Sequence, residues 1–121
     1  MKVLVTGGGG FLGSAICSML VSRGDNVQSI SRKPYAKLNA MSVAQFQGDL
    51  VDKGAIHLAA QGCDAIIHTA AKAGIWGDYN SYYQTNVVGT KNIIEICKSL
   101  GIPKLVYTSS PSVVFNNGDM E

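Results

Sequence analysis

The chain has 121 residues, 46% hydrophobic and 15% charged, with a formal net charge of +2. This composition excludes a disordered chain and allows one domain, or part of one, around a single interior. The ten Lys and Arg residues are scattered, which excludes a basic nucleic-acid-binding stripe, and no run approaches about 18 apolar residues, so no membrane-spanning helix is expected.

The first element is "KVLVTG", Lys2 to Gly7. A short, nearly continuous apolar run of this kind fits a strand buried on both faces. It stops at Thr6, far short of the apolar core of a signal peptide. Leu12, Ala15, Ile16, Met19 and Leu20 then recur at helical spacing and give way to Gly24, a natural C-terminal stop. "NVQSIS" (Asn26 to Ser31) reads as a second strand and "VAQFQGDL" (Val43 to Leu50) as a third. "DKGAIHLAAQG" (Asp52 to Gly62) reads as a short helix and "DAIIHTA" (Asp64 to Ala70) as a fourth strand. After the loop "AKAGIWGDYNS" comes a long helix, with Tyr83, Val87, Thr90, Ile94 and Cys97 on one face and Ile93 and Leu100 beside them. Gly101 and Pro103 end it, and "KLVYTSS" (Lys104 to Ser110) is a fifth strand.

Strands alternating with helices predict an α/β fold with a parallel sheet, doubly wound in the Rossmann manner, in the order 3-2-1-4-5. Cys17, Cys63 and Cys97 are far apart and form no C-x-x-C pair. Buried, reduced thiols and a cytoplasmic setting are expected. No set of metal ligands is read.

Between the first strand and first helix lies "TGGGGFLG", Thr6 to Gly13. Ordering four consecutive glycines is entropically costly. Gly8, Gly10 and Gly13 satisfy G-x-G-x-x-G, and Thr6, Gly7, Gly10 and Gly13 satisfy T-G-x-x-G-x-x-G. In such a loop one glycine adopts a conformation closed to other residues. Gly10 would let the backbone approach a pyrophosphate, and Gly13 would let the helix sit close on the strand. The free N–H groups at the helix start would then hold phosphates. The strand-turn-helix context is the one this motif requires.

Dinucleotide sites commonly carry Asp or Glu about 20 residues further on, at the ribose 2′-OH. Here the second strand ends in Ser31-Arg32-Lys33, and Asp25 lies at that strand's other end. A guanidinium suits a 2′-phosphate. The sequence therefore favours NADP (NADPH) over NAD, although Arg32 and Lys33 could also be a solvated charge pair.

The glycine loop is followed in order by "GDL" (Gly48 to Leu50), "HTAA" (His68 to Ala71), "NVVGT" (Asn86 to Thr90) and "YTSS" (Tyr107 to Ser110). This series resembles the extended short-chain dehydrogenase/reductase superfamily, in its 3β-hydroxysteroid dehydrogenase-like, epimerase/dehydratase branch. The stretches "AAKAGIWGDYNSYYQTNVVGT" and "LVYTSSPSV" are similar to the 2-alkyl-3-oxoalkanoate reductases of bacterial long-chain olefin biosynthesis.

The glycine turn and the resemblance together imply a dinucleotide site at Thr6, Gly7, Gly10, Phe11, Leu12 and Gly13, with Arg32 at the 2′-phosphate as read above. It implies that Asp49 and Leu50 contact adenine, while a simple turn cap is the other reading of Asp49. Ala70 and Ala71 would be the small residues against which the cofactor lies. His68 reads as a packed strand residue rather than a catalytic acid. Asn86 would either order a proton path beside the cofactor or make a structural hydrogen bond. Ser110 matches the catalytic serine that bonds the substrate oxygen, although Ser-Ser pairs also serve turns. Trp76 and Tyr79 would flank an acyl chain above the nicotinamide, with ordinary packing the other reading of Trp76.

The family's Tyr-x-x-x-Lys motif is not found. Tyr35, Tyr79, Tyr82, Tyr83 and Tyr107 are followed four residues later by Asn39, Tyr83, Asn86, Val87 and Pro111. The expectation is therefore the N-terminal part of a longer fold, inactive alone. The resemblance implies an oxidoreductase that reduces the 3-oxo group of a 2-alkyl-3-oxoalkanoate to the 3-hydroxy compound, with NADPH as the cofactor that Arg32 favours and a small ketone or alcohol as partner. Two alternatives stay open: a nucleotide-sugar epimerase or dehydratase with bound NAD, and a non-catalytic dinucleotide-binding domain. Self-association or a homo-oligomer is also expected.

Overall fold

The computed structural model describes residues 1–69 and 87–108. Within them, strands β1 (Lys2–Thr6), β2 (Asn26–Ser31), β3 (Ala44–Gln47), β4 (Ala65–Thr69) and β5 (Lys104–Thr108) form one sheet, ordered β3-β2-β1-β4-β5. Every strand pair is parallel, so the fold is the expected doubly wound α/β sheet. The helices are α1 (Phe11–Ser22), α2 (Ala36–Ala40), α3 (Lys53–Ala60) and α4 (Gly89–Leu100).

The apolar run of β1 is explained by two cores. Leu4 enters a cluster with Ile30, Ile56, Ile66, Ile93 and Ile96, which α3 and α4 cover. Val3 and Val5 enter another with Cys17, Leu20, Leu38 and Val43, beneath α1 and α2. Alternate residues of a strand point to opposite faces, so a central strand covered on both sides must be apolar at every position.

Several local expectations shift. The buried seam of α1 is Gly13, Cys17 and Leu20, while Ala15 and Met19 are exposed. α1 is apolar nearly all round, so apolar spacing alone did not single out its inner face. The inner face of α4 is Gly89, Asn92, Ile93, Ile96 and Cys97, with Ile94 outward, and Val87, before the helix, is exposed as well. The third strand is shorter than the sequence suggested, because the chain turns at Gly48 and Asp49: Asp49 Oδ1 accepts from the Val51 N–H at 3.2 Å. Asp52 caps α3, its Oδ1 accepting from the N–H groups of Gly54 and Ala55 at 3.0 and 3.3 Å. The sequence reading did not include α2. Gly24 and Gly101 end α1 and α4 in left-handed conformations, with φ of 90° and 68°. Cys17, Cys63 and Cys97 are buried free thiols, and burial pushes the Cys17 thiol up to about 11. Among the described residues, no helix is long and apolar enough to cross a membrane.

Candidate dinucleotide site

Parallel pairing brings the carboxyl ends of the strands to one edge. Thr6 pairs with Ile30 and His68, Ser31 with Gln47, and Thr69 with Thr108. The glycine turn, Arg32, Asp49 and Leu50 all leave from that edge. Between β1 and β4 the strand order reverses, which is where open α/β sheets hold their ligands.

The turn has the geometry its glycines require. Gly7 is left-handed, with φ of 71°. A Cβ on Gly13 would overlap the Gly7 carbonyl, so Gly13 lets α1 press against the turn itself. A Cβ on Gly10 would meet only the Gly7 oxygen, at an ordinary 3.5 Å, and Gly10 is exposed. The backbone at Gly10 is thus open to an approaching group.

Gly10 is the N-cap of α1 and has no side chain to cap it. The first helical bond there is from the Ser14 N–H to the Gly10 oxygen, 2.8 Å. No described residue accepts from the N–H groups of Phe11, Leu12 or Gly13. A bare helix start of this kind binds an anion well, and so the residues present fit a dinucleotide pyrophosphate. Phe11 beside them is 92% exposed, and Leu12 is half-buried.

Arg32 follows β2 directly, is exposed, and makes no ion pair among the described residues. Asp25 lies at the opposite edge, paired with the N-terminal ammonium at 3.3 Å and with Arg23 Nε at 3.4 Å. Asp49 has one oxygen on the Val51 N–H, in the turn-capping manner. Leu50 is fixed from α4: its carbonyl accepts from Asn92 Nδ2 at 2.9 Å, and its side chain lies where a Cβ on Gly89 would come within 2.9 Å.

The Thr6 hydroxyl is buried and turned toward β4. It lies 2.7 Å from His68 Nδ1, and His68 Nε2 lies 3.0 Å from Thr90 Oγ1. Burial lowers the His68 pKa to about 4, so the ring is neutral at neutral pH. Thr6 and His68 therefore hold β1, β4 and α4 together beneath the turn. Ala70, Ala71, Trp76, Tyr79, Asn86 and Ser110 lie outside the described residues.

The sequence reading gave no site role to Tyr35, Gln45, Gln47, Thr90 or Asn92. One signal was available: Gln45 and Gln47 are two apart in a predicted strand, so both amides belong to one face.

A model of the 3-beta hydroxysteroid dehydrogenase/isomerase family matches residues 4–121. The chain belongs to that family. It is 55% identical over 113 residues to the 2-alkyl-3-oxoalkanoate reductase of Stenotrophomonas maltophilia, covering 93% of this chain and 34% of the reductase. It is 51% identical over 115 residues to the reductase of that name from Shewanella oneidensis, covering 95% and 30%. The chain thus spans about a third of the length of these relatives. Among solved structures, the Thermus thermophilus UDP-glucose 4-epimerase in complex with NAD matches with a TM-score of 0.76 at 31% identity, over 87% of this chain and 36% of the epimerase. The family and these folds agree with the branch that the motif series resembles.

Proposed function

We propose that the protein containing this chain is an NADP-dependent oxidoreductase that reduces the 3-oxo group of a 2-alkyl-3-oxoalkanoate, and that this chain supplies the dinucleotide site. The observation that carries this reading is the pairing of a bare helix start after the glycine turn with Arg32 immediately after β2. The first suits a pyrophosphate and the second a 2′-phosphate. The identity of 55% and 51% to the two reductases supports the substrate class.

When bound, the reduced dinucleotide supplies the hydride for the 3-oxo carbon. The turn from Gly7 to Gly13 holds its phosphates, Arg32 holds the 2′-phosphate, and Asp49 and Leu50 border the adenine. Ser110 would hold the substrate oxygen, by its match to the family's serine. General acid help from a tyrosine is worth on the order of 10²–10⁴ in rate, and no tyrosine of this chain has lysine four residues later. The 121-residue chain alone is therefore expected to bind NADPH and not to reduce ketones. The partner is a small ketone or alcohol.

The likeness to an NAD-bound epimerase favours a second reading, a nucleotide-sugar epimerase holding NAD. The two are separated by supplying protein that contains the Tyr-x-x-x-Lys segment with either NADPH and a 2-alkyl-3-oxoalkanoate or a UDP-sugar. Consumption of NADPH with the first supports the reductase. Sugar epimerisation without net oxidation overturns it.

A further inference from the structure

The cations after β2 are held from behind by β3. Gln47 Nε2 donates to the Arg32 carbonyl at 3.1 Å. Gln45 brackets Tyr35: its Oε1 accepts from the Tyr35 N–H at 2.8 Å, and its Nε2 donates to the Tyr35 carbonyl at 3.0 Å. The same Nε2 lies 3.0 Å from Asn39 Oδ1 on α2. Ser31 Oγ donates to the Lys33 carbonyl at 3.0 Å. Residues 32, 33 and 35 are thus each tied through the backbone, and Pro34 between them has its φ fixed by its ring.

The same segment is held in front by the glycine turn. The Tyr35 ring lies against Gly9, where a Cβ would overlap the ring carbons. Lys33 Nζ stands 5.7 Å from the centroid of that ring. This contact accounts for a glycine that the phosphate motif leaves open, since Gly9 is an "x" in G-x-G-x-x-G.

We propose that Gln45 and Gln47 are positioning residues for cofactor discrimination, holding the segment Arg32–Tyr35 beside the glycine turn so that Arg32 and Lys33 stand within reach of a dinucleotide's 2′-phosphate. This rests on the NADP reading above. The physical advantage is preorganisation: a cation on an anchored backbone loses less freedom on binding than one on a free loop. Uncharged amides suit the task. They tie down carbonyls and leave the positive charge uncompensated, whereas a carboxylate at either position would compete with the phosphate.

The test is to titrate NADPH and NADH into the wild type, Gln47→Leu and Gln45→Leu, and to record melting temperatures alongside. The wild type is expected to prefer NADPH. Gln47 is exposed, so Gln47→Leu should keep its melting temperature. It should raise the Kd for NADPH about three- to tenfold, the scale of one net hydrogen bond, and leave that for NADH within about twofold. Gln45→Leu should shift the ratio in the same direction. If it does not fold, Gln47→Leu decides alone. An unchanged NADPH:NADH ratio, or equal losses for both cofactors, overturns the positioning role while the NADP reading stands. A wild type with no preference for NADPH overturns that reading, and this inference with it.

Discussion

Thr6 Oγ1 lies 2.7 Å from His68 Nδ1, joining β1 to β4 beneath the glycine turn. Thr6 Oγ1 also accepts from the Thr69 N–H at 3.2 Å, and Thr69 Oγ1 donates to the Thr6 carbonyl at 2.7 Å. The network satisfies every partner when Thr6 donates to Nδ1 and the Nε2–H of the imidazole donates to Thr90. That assigns a neutral ring with its proton on Nε2.

A pH dependence of stability follows. The ring's pKa is lowered from 6.5 to about 4 by burial, so the unfolded chain binds the proton more readily than the folded one. The neutral ring's contribution is complete above pH ~6.5 and is lost as pH falls from there toward ~4. By pH ~5 the loss is about 2 kcal/mol. Urea unfolding at both pH values measures it. His68→Gln should be less stable at neutral pH and show a smaller drop. An identical drop in wild type and variant would assign the acid sensitivity to other groups.

The glycines of the turn should separate by function. Gly10→Val should fold and fail to bind dinucleotide, because a Cβ there meets only ordinary contact within the protein yet would block the approach of the proposed pyrophosphate. Gly13→Ala should destabilise the fold itself by about 1–3 kcal/mol, because its Cβ overlaps the Gly7 carbonyl. Thermal unfolding and cofactor titration of both variants check this. A Gly10→Val protein with wild-type affinity would place the phosphates elsewhere.

Arg32→Ala should weaken NADPH binding by roughly 1.5–3 kcal/mol, the scale of a charged hydrogen bond, and leave NADH binding nearly unchanged. Raised salt should shrink the difference, since the side chain is exposed. Titration calorimetry with both cofactors reads this directly. Equal losses for the two would remove Arg32 from the 2′-phosphate.

The strand order and glycine turn were legible because they rest on local signals: apolar runs, a helix start and punctuating glycines. α2 was not, because "AKLNA" is too short for a helical period to show and follows Pro34 and Tyr35 directly. Nor were the bonds from Gln45 to Tyr35 and from Asn92 to Leu50. They link residues 10 and 42 apart in sequence, and their partners are backbone groups, which every residue carries. Only strand register and helix rotation decide which amide meets which carbonyl. The same rotation, invisible in a helix apolar nearly all round, moved the seam of α1 to Gly13, Cys17 and Leu20.

Self-association is expected at β5. Among the described strands it stands at the end of the sheet, and none of them pairs its outer edge. Leu105, Val106 and Tyr107 are 38%, 49% and 54% exposed, so both faces of the strand present apolar surface. Lys104 is its only charge, and charges along an edge are the usual deterrent to pairing with another chain. Exposed Ile94 on α4 adds to the apolar surface of the molecule. The purified 121-residue chain should therefore scatter light as species larger than a monomer, increasingly so with concentration. Val106→Lys should reduce that association, because a charge in mid-strand opposes edge pairing while leaving the buried clusters untouched. A monodisperse monomer at high concentration, or association unaffected by the substitution, would show that β5 is not the contact.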